Sequence, residues 1–362
     1  MRKHLKGLDT LRAIGAIIVV VGHIELIKMF NGLDNLVEVN FPIFPSGHIS
    51  VVLFFVLSGF LITLLLVRET QATNTVSYRK FYLRKILRIY PVYYLTLLAS
   101  SVLIETNSSF ISNILCLTIF PNVAHAIDER WVTSPQIWSI GVEVQFYIFW
   151  PVLFATIFLS KWKKYFPILL LLFTVIYPLS PIILGYINAH YVTIPYMWAI
   201  EKFFYGSKYH CIAIGALIGL AYSSEKNWIQ ILNNNKIFIP LSIISLVLWI
   251  LKFDIGFFTD EVFSILFALI ILGAIGSKTV NIDHSITKFL GKISYGIYMY
   301  HWFIIVLAIK LLPQSDNLFY YNLLLYVVVL FLTIFSAWLS YAYYEKWFLR
   351  LKEKYKPTRL KA

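Results

Sequence analysis

Charged side chains are scarce in this chain of 362 residues. Only 14% of its residues are charged and 59% are hydrophobic, whereas an average soluble domain has roughly 25% charged residues. The mean hydropathy of +0.74 excludes a soluble enzyme and a disordered scaffold. Cysteine is also rare: Cys116 and Cys211 both lie in apolar runs, which excludes a secreted disulfide framework. This composition is typical of a polytopic membrane protein.

The sequence also lacks the signatures of several kinds of active site. No two histidines have the spacing of a metal site, so we expect no bound metal. A glycine-rich phosphate loop is missing, and so is the Gly-x-Ser-x-Gly motif that would present a nucleophilic serine. Any chemistry must therefore come from ionisable residues elsewhere, including those inside the apolar runs.

Apolar runs long enough to cross a bilayer, about 20 residues each, recur along the chain. They predict an all-α polytopic membrane helix bundle of about ten transmembrane helices. A β-barrel is disfavoured because residues 51–67 are apolar without alternation. A shorter apolar piece at 110–121 is predicted to be re-entrant, since a full crossing would reverse the side of every later basic block. The predicted spans begin near Ala13, Val51, Ile89, Ile137, Phe166, His210, Ile237, Val262, Ile293 and Asn317.

The 31 basic residues outnumber the 18 acidic ones, which gives a net charge of +13. In a soluble protein this excess would indicate nucleic acid, but here the bases form short blocks between apolar runs, as cytoplasmic loops do. We therefore expect no nucleic-acid partner. Ten spans with both termini in the cytoplasm place 25 of the 31 basic residues on the cytoplasmic side. We therefore predict that both termini are cytoplasmic.

The domain organisation is predicted to be simple. No internal repeat is visible, so we expect one integral membrane domain over 1–345 and a basic cytoplasmic tail over 346–362. The N-terminal region lacks a small-residue cleavage site, which favours a retained first span over a cleaved signal peptide.

Two ionisable residues of the first span, Arg12 and His23, are candidates for function. His23 lies eleven positions after Arg12, which on a helix places the two side chains within about 20° of each other around the axis and roughly 16 Å apart along it. An acyl-coenzyme A has a matching shape, with anionic phosphates at one end and a thioester at the other. The alternative is a snorkelling Arg12 and a hydrogen-bonded core histidine.

A cationic helix face follows the second span. Arg84 and Arg88 are four residues apart with Lys85 beside them, so the three cations lie close together at the predicted cytoplasmic side. Such a face suits phosphate or pyrophosphate. An isolated cluster of this kind is also explained as a basic block that only sets topology.

Glu143 is an acid about one and a half turns into the fourth span. A carboxylate near a histidine would raise the basicity of the imidazole and fix its tautomer. The alternative is a snorkelling acid, with Trp138 as an interfacial anchor. His210 and His301 also lie in apolar runs, and each taken singly is expected to be structural.

These residues occur in segments that resemble the membrane acyltransferase-3 family. The similarity extends from Gly7 to about Glu345, and five segments occur in the family's order. They are GLDTLRA at Gly7–Ala13 running to His23, LFFVLSGFLIT at Leu53–Thr63, FYLRKILRIYP at Phe81–Pro91, WSIGVEVQFY at Trp138–Tyr147, and LGKISYGIY at Leu290–Tyr298 with His301.

The resemblance implies an enzyme that moves an acyl group, most often acetyl, from cytoplasmic acyl-CoA to a sugar hydroxyl. Acceptors in the family include cell-surface polysaccharides, peptidoglycan, lipopolysaccharide O-antigen and related glycolipids. The implied partners are acyl-CoA, a saccharide or lipid-linked glycan and the bilayer, and the implied location is the bacterial cytoplasmic (inner) membrane. Acetyl-CoA would be a donor substrate, with no cofactor bound permanently. We also expect a stand-alone form without the esterase-like domain that many members carry.

The resemblance also implies roles for individual residues. His23 would be the essential histidine, Arg12 its partner, and Lys85 and Arg88 would contact the coenzyme. The family's Arg-x-x-Arg pair reads Lys85-x-x-Arg88 here, so one bidentate phosphate contact is lost unless Arg84 substitutes. Val52 stands where an acid is common. Lys208 and His210 stand where an arginine and an acid are common.

In our mechanistic hypothesis, Arg12, Lys85 and Arg88 hold the phosphates of the coenzyme, and the thioester reaches His23. The imidazole either acts as general base on the sugar hydroxyl or takes the acyl group transiently. Glu143 would hold the imidazole or the acceptor, while Trp138 would stack on a sugar ring and Ser139 would contact the same substrate. The competing hypothesis is a proton-coupled polysaccharide or small-molecule exporter, in which the buried charges form a proton relay.

Overall fold

The structure is a computed structural model that describes residues 5–39, 41, 43–104, 108–224, 235–277, 281–313 and 317–355. Within these ranges the chain forms helices and no strands, which confirms the all-α prediction. Three short 3₁₀ turns and one π-helical turn, Ser340–Glu345, join or extend the α-helices. The α-helices are α1 Leu8–Phe30, α2 Gly47–Thr73, α3 Tyr78–Leu103, α4 Phe110–Leu117, α5 Pro121–Ala126, α6 Trp138–Phe158, α7 Phe166–His190, α8 Met197–Ser207, α9 Tyr209–Ser223, α10 Asn235–Ile250, α11 Thr259–Gly276, α12 Ser285–Leu311, α13 Leu318–Leu339 and α14 Lys346–Glu353.

Eight helical segments of the described residues are long and apolar enough to cross a membrane. They contain α1, α2, α3, α6, α7, α11, α12 and α13, and they confirm a multi-pass membrane protein. The predicted spans near His210 and Ile237 correspond to α9 and α10, which are shorter, at 15 and 16 residues. Each of the ten predicted spans therefore coincides with a helix.

The apolar piece at 110–121 contains α4, which has only 8 residues. At 1.5 Å per residue it is roughly 12 Å long, well short of the ~30 Å hydrocarbon core. It therefore does not cross the bilayer as a helix, and its re-entrant path stays a prediction. The cytoplasmic location of the termini and the domain boundary at 345 also stay predictions, and residues 356–362 of the predicted tail lie outside the described residues.

The chain divides into two compact units, which we describe separately. Unit 1 comprises Met1–Phe54, Arg88–Thr106 and Gln230–Leu351. Its most extensive helix contact is α1 with α12, followed by α12 with α13. Helices α1 and α12 approach closely because Gly291 has no side chain: a Cβ atom there would collide with the main chain of Asp9.

The beginning of α1 is capped from a distant part of unit 1. The first N–H groups of a helix have no partner within the helix. Here the carboxylate of Asp283 accepts hydrogen bonds from the Gly7 N–H at 2.9 Å, from the Thr10 N–H at 3.4 Å and from the Thr10 hydroxyl at 2.9 Å. Because Asp283 lies just before α12, this cap fixes α1 to the helix that it packs against.

Unit 2 comprises Phe55–Leu87, Asn107–Ile229 and Lys352–Ala362. Within it, the main chains of α2 and α9 are in near contact. A Cβ atom added at Gly59 would collide with the Ile212 carbonyl oxygen, and one at Gly215 would collide with the Val56 carbonyl oxygen. Gly215 and Gly219 are four residues apart, which is the small-residue spacing that lets membrane helices pack backbone to backbone.

We predict that Gly59→Ala destabilises unit 2, because the added methyl group must push two backbones apart. Overpacking of this kind costs about 1–3 kcal/mol, which should lower the apparent melting temperature of the purified protein in detergent. Gly206→Ala is the matched control, since a Cβ atom at Gly206 meets nothing within 4 Å. Equal melting temperatures for the two variants would contradict the close packing of α2 on α9.

Candidate active site

Unit 1 brings two of the membrane-embedded histidines together. His23 lies on α1 and His301 on α12, and Nδ1 of His23 is 2.7 Å from Nε2 of His301. The two ring planes are nearly parallel, at 6°, with centroids 4.9 Å apart. A nitrogen separation of 2.7 Å is too short for face-to-face stacking, so the rings meet edge to edge. The contact is a hydrogen bond in a common plane.

His301 makes a second hydrogen bond within its own helix. Its Nδ1 lies 2.6 Å from the main-chain carbonyl oxygen of Tyr298. A carbonyl oxygen only accepts hydrogen bonds, so Nδ1 of His301 is the donor. His301 is completely buried, at 0% exposure, whereas His23 is a residue of intermediate exposure. Of the two imidazoles, His23 is therefore the one that a substrate can reach.

Aromatic side chains enclose the histidine pair within unit 1. The Trp302 ring meets the His23 ring edge to face, with centroids 4.9 Å apart and planes at 67°. Tyr298 lies 5.7 Å from His301 and 6.2 Å from Phe54 by ring centroids. These ring contacts restrict the rotation of both imidazoles.

A buried ion pair follows His23 on α1, two and five residues further along the helix. Glu25 is 0% exposed and Lys28 is 2% exposed. The Glu25 carboxylate accepts hydrogen bonds from Lys28 Nζ at 2.8 Å, from the Tyr326 hydroxyl at 2.8 Å and from the Leu36 N–H at 2.6 Å. The carboxylate thus ties α1 both to α13 and to the segment that follows α1, and so restrains the position of His23.

The two arginines predicted to contact a coenzyme also belong to unit 1. Arg12 lies on the same unbroken helix as His23, so the spacing derived above from helix geometry holds. Its guanidinium is 3.3 Å from the Asp9 carboxylate, and its side chain is partly exposed. Arg88 is exposed on α3. Their coenzyme contacts stay predictions.

In unit 2, Glu143 is the acceptor in a compact polar cluster. Its two carboxylate oxygens accept hydrogen bonds from the Ser58 hydroxyl at 2.7 Å and the Tyr147 hydroxyl at 2.8 Å. The Lys85 ammonium lies 3.9 Å from the centre of the Tyr147 ring. A contact of Glu143 with an imidazole and a contact of Lys85 with phosphate both stay predictions.

Arg84, considered above as a substitute phosphate ligand, has protein partners in unit 2. Its guanidinium donates to the main-chain carbonyl oxygen of Tyr355 at 2.7 Å and lies 3.7 Å from the Glu69 carboxylate. Arg84 therefore ties the end of the described chain to α2 and α3 within this unit.

Trp138 and Ser139, the predicted substrate contacts, lie at the beginning of α6 in unit 2. The Trp138 ring stacks on His125, with centroids 5.8 Å apart and planes at 27°. Burial and the nearby charges of Arg130 and Lys202 together lower the pKa of His125 to about 4, so the stacked ring is neutral at pH 7. Ser139 is buried and donates to the Gln136 carbonyl oxygen at 3.2 Å. A role for either residue in substrate binding stays a prediction.

Sequence reasoning did not identify the partner of His23. The sequence marks His301 only as a histidine in an apolar run beside the fifth family-like segment, and the hydrogen bond joins residues 278 positions apart. Ser58 was also missed, although it lies within the LFFVLSGFLIT segment. In the part of the chain that the structure describes, no three His, Cys, Asp or Glu residues form a group that could hold a metal ion.

Comparison with known proteins gives a family match over nearly the whole chain. The family described as an acyltransferase domain matches residues 5–342, a range that contains both histidines of the pair and every residue of the Glu143 cluster. No solved structure matches the chain.

Several curated proteins are similar in sequence. Peptidoglycan O-acetyltransferase OatA of Listeria monocytogenes is 27% identical over 349 residues, covering 87% of this chain and 51% of OatA. YrhL of Bacillus subtilis, a proposed peptidoglycan O-acetyltransferase, is 25% identical over 381 residues, covering 95% of this chain and 55% of YrhL. A proposed O-acetyltransferase of Staphylococcus aureus is 28% identical over 176 residues, covering 45% of this chain and 27% of that protein. The chain thus spans about half the length of OatA and YrhL.

We predict that Lys28→Met strongly destabilises the protein, because it leaves the Glu25 carboxylate buried without its cation. Removing one partner of a buried ion pair costs about 3–5 kcal/mol, measurable as a loss of thermal stability in detergent. The double variant with Glu25→Gln should recover much of this loss. Lys310→Met, at an exposed position of α12, is the control. If Lys28→Met behaved like Lys310→Met, the ion pair would not stabilise this end of α1.

Proposed function

The chain belongs to this acyltransferase family, and from that membership we propose that it is a membrane-bound O-acetyltransferase. The proposed reaction moves an acetyl group from cytoplasmic acetyl-CoA to a sugar hydroxyl of a cell-surface polysaccharide or lipid-linked glycan. The single observation that carries the proposal is the His23–His301 pair, which lies inside the family-matched region. A partly exposed imidazole held by a buried one is suited to general base catalysis.

In the proposed chemical step, a single nitrogen of His23 accepts a proton and later gives it up. The imidazole of His23 takes the proton of the acceptor hydroxyl while the oxygen attacks the thioester carbonyl carbon. The carbon–sulfur bond then breaks, and the coenzyme A thiolate takes that proton back from the imidazole. The products are the sugar ester and free coenzyme A, and the enzyme returns to its starting protonation state.

The acceptor is proposed from the relatives. The names of OatA and YrhL specify peptidoglycan, so a peptidoglycan-type glycan is the acceptor to test first. Arg12 and Arg88 of unit 1 are assigned to the phosphates of acetyl-CoA, since guanidinium pairs well with phosphate. Lys85 is a further candidate for the donor, and Glu143, Trp138 and Ser139 are candidates for the acceptor. Multi-pass insertion of such an enzyme in the bacterial cytoplasmic membrane would give it access to cytoplasmic acetyl-CoA.

We predict that the purified protein in detergent transfers radiolabelled acetyl from acetyl-CoA to a soluble peptidoglycan fragment. His23→Ala should lower the rate by about 100-fold or more, the usual contribution of a general base. His190→Ala, at the exposed end of α7, should leave the rate unchanged. Size-exclusion profiles of the variants would verify that each remains folded.

Detergent micelles hold no membrane potential, so the same assay separates the two functional hypotheses. Transfer in micelles supports an enzyme, because a proton-coupled exporter has no driving force there. Full activity of His23→Ala would overturn the assignment of the base. If the wild type shows no turnover of acetyl-CoA but moves glycan across proteoliposomes, the exporter hypothesis would replace this proposal.

A further inference from the structure

The direction of each hydrogen bond at the histidine pair follows from the chemistry of its end groups. The Tyr298 carbonyl oxygen can only accept, so Nδ1 of His301 carries the proton of the 2.6 Å bond. A charge on this fully buried ring is disfavoured. A neutral imidazole has one protonated nitrogen, so Nε2 of His301 has a free lone pair and acts as an acceptor.

The same argument continues from His301 to His23. Because Nε2 of His301 accepts, Nδ1 of His23 must donate across the 2.7 Å that separates them. The nearly parallel, edge-to-edge arrangement of the rings points the N–H of one ring at the lone pair of the other, which is the preferred geometry. With its proton on Nδ1, neutral His23 has its lone pair on Nε2.

We propose that His301 is a positioning residue that holds His23 in the Nδ1–H tautomer, so that Nε2 of His23 is the reacting nitrogen. The inference rests on the proposed function and names the atom that performs it. In the acyl-transfer step, the acceptor's proton goes to Nε2 and returns from Nε2 to the coenzyme A thiolate. His301 neither gains nor loses a proton. A transient acyl-histidine would use the same nitrogen.

His301 therefore has the orienting function that a carboxylate has in a catalytic triad, but without a charge. A carboxylate in the span would carry a desolvation penalty of several kcal/mol. The imidazole avoids that penalty, since its second nitrogen is satisfied by the helix backbone of α12. Trp302, whose ring packs against His23, adds no charge either.

Two methylated histidines incorporated at position 23 test the proposal. Methylation of Nδ1 leaves a lone pair only on Nε2, and methylation of Nε2 does the reverse. In the otherwise unchanged protein, Nε2-methylhistidine should abolish acetyl transfer. His301→Ala should lower kcat on the order of 100-fold with little change in KM for acetyl-CoA. Nδ1-methylhistidine at position 23, placed in the His301→Ala background, should then restore kcat by about tenfold or more.

A second variant distinguishes the loss of positioning from misfolding. His301→Gln keeps an amide oxygen near the position of Nε2, where it can accept from Nδ1 of His23, so it should retain much more activity than His301→Ala. A purely structural role for His301 would not be relieved by methylation of a different residue.

The outcomes for this inference and for the proposed function are distinct. No transfer by the wild type would refute the proposed function. If the wild type transfers acetyl and the variant with Nε2-methylhistidine at position 23 is also active, then Nε2 is refuted as the reacting nitrogen. Failure of Nδ1-methylhistidine to rescue His301→Ala, while His301→Ala remains folded by size exclusion, would refute the positioning function of His301.

Discussion

Inside a bilayer every polar group must find its hydrogen-bonding partner within the protein, and the candidate site of this chain follows from that constraint. The Tyr298 carbonyl oxygen, His301 and His23 form a series of two hydrogen bonds. The neighbouring group determines which nitrogen of each imidazole donates and which accepts. This series of hydrogen bonds ends at His23, a residue of intermediate exposure. A membrane that cannot hydrate a histidine thus selects its tautomer, and with it the atom available for catalysis.

The packing of unit 1 maintains the geometry of the His23–His301 pair. A hydrogen bond between α1 and α12 needs the two helices to hold their separation and their register. Gly291 permits the close approach, and the Asp283 cap fixes the beginning of α1 to the segment before α12. The buried Glu25–Lys28 pair holds the other end of the same helix. The restraints therefore act on both sides of His23, as the preorganisation of a reacting group requires.

The sequence was sufficient to predict the helices, because a span is specified by the length of its own apolar run. All ten predicted spans coincide with helices, although α9 and α10 have only 15 and 16 residues, fewer than the roughly 20 residues expected of a span. The placement of His23 on the same helix as Arg12 was also predictable, since it depends only on α1. Its partner was not predictable, because His301 lies 278 positions after His23 and no local pattern encodes the contact of α1 with α12. For Glu143, the hydrogen bond to Tyr147 connects positions four apart on one helix, whereas the bond to Ser58 spans 85 residues.

The tautomers of the two histidines can be measured directly. Nitrogen-15 labelling of histidine, with solid-state NMR of the protein in lipid bilayers and His23→Gln and His301→Gln for assignment, reports which ring nitrogen carries each proton. We predict that both His23 and His301 are neutral, with the proton on Nδ1 and a free lone pair on Nε2. A proton on Nε2 of either ring would contradict the proposed chain of hydrogen bonds, and with it the assignment of the reacting nitrogen.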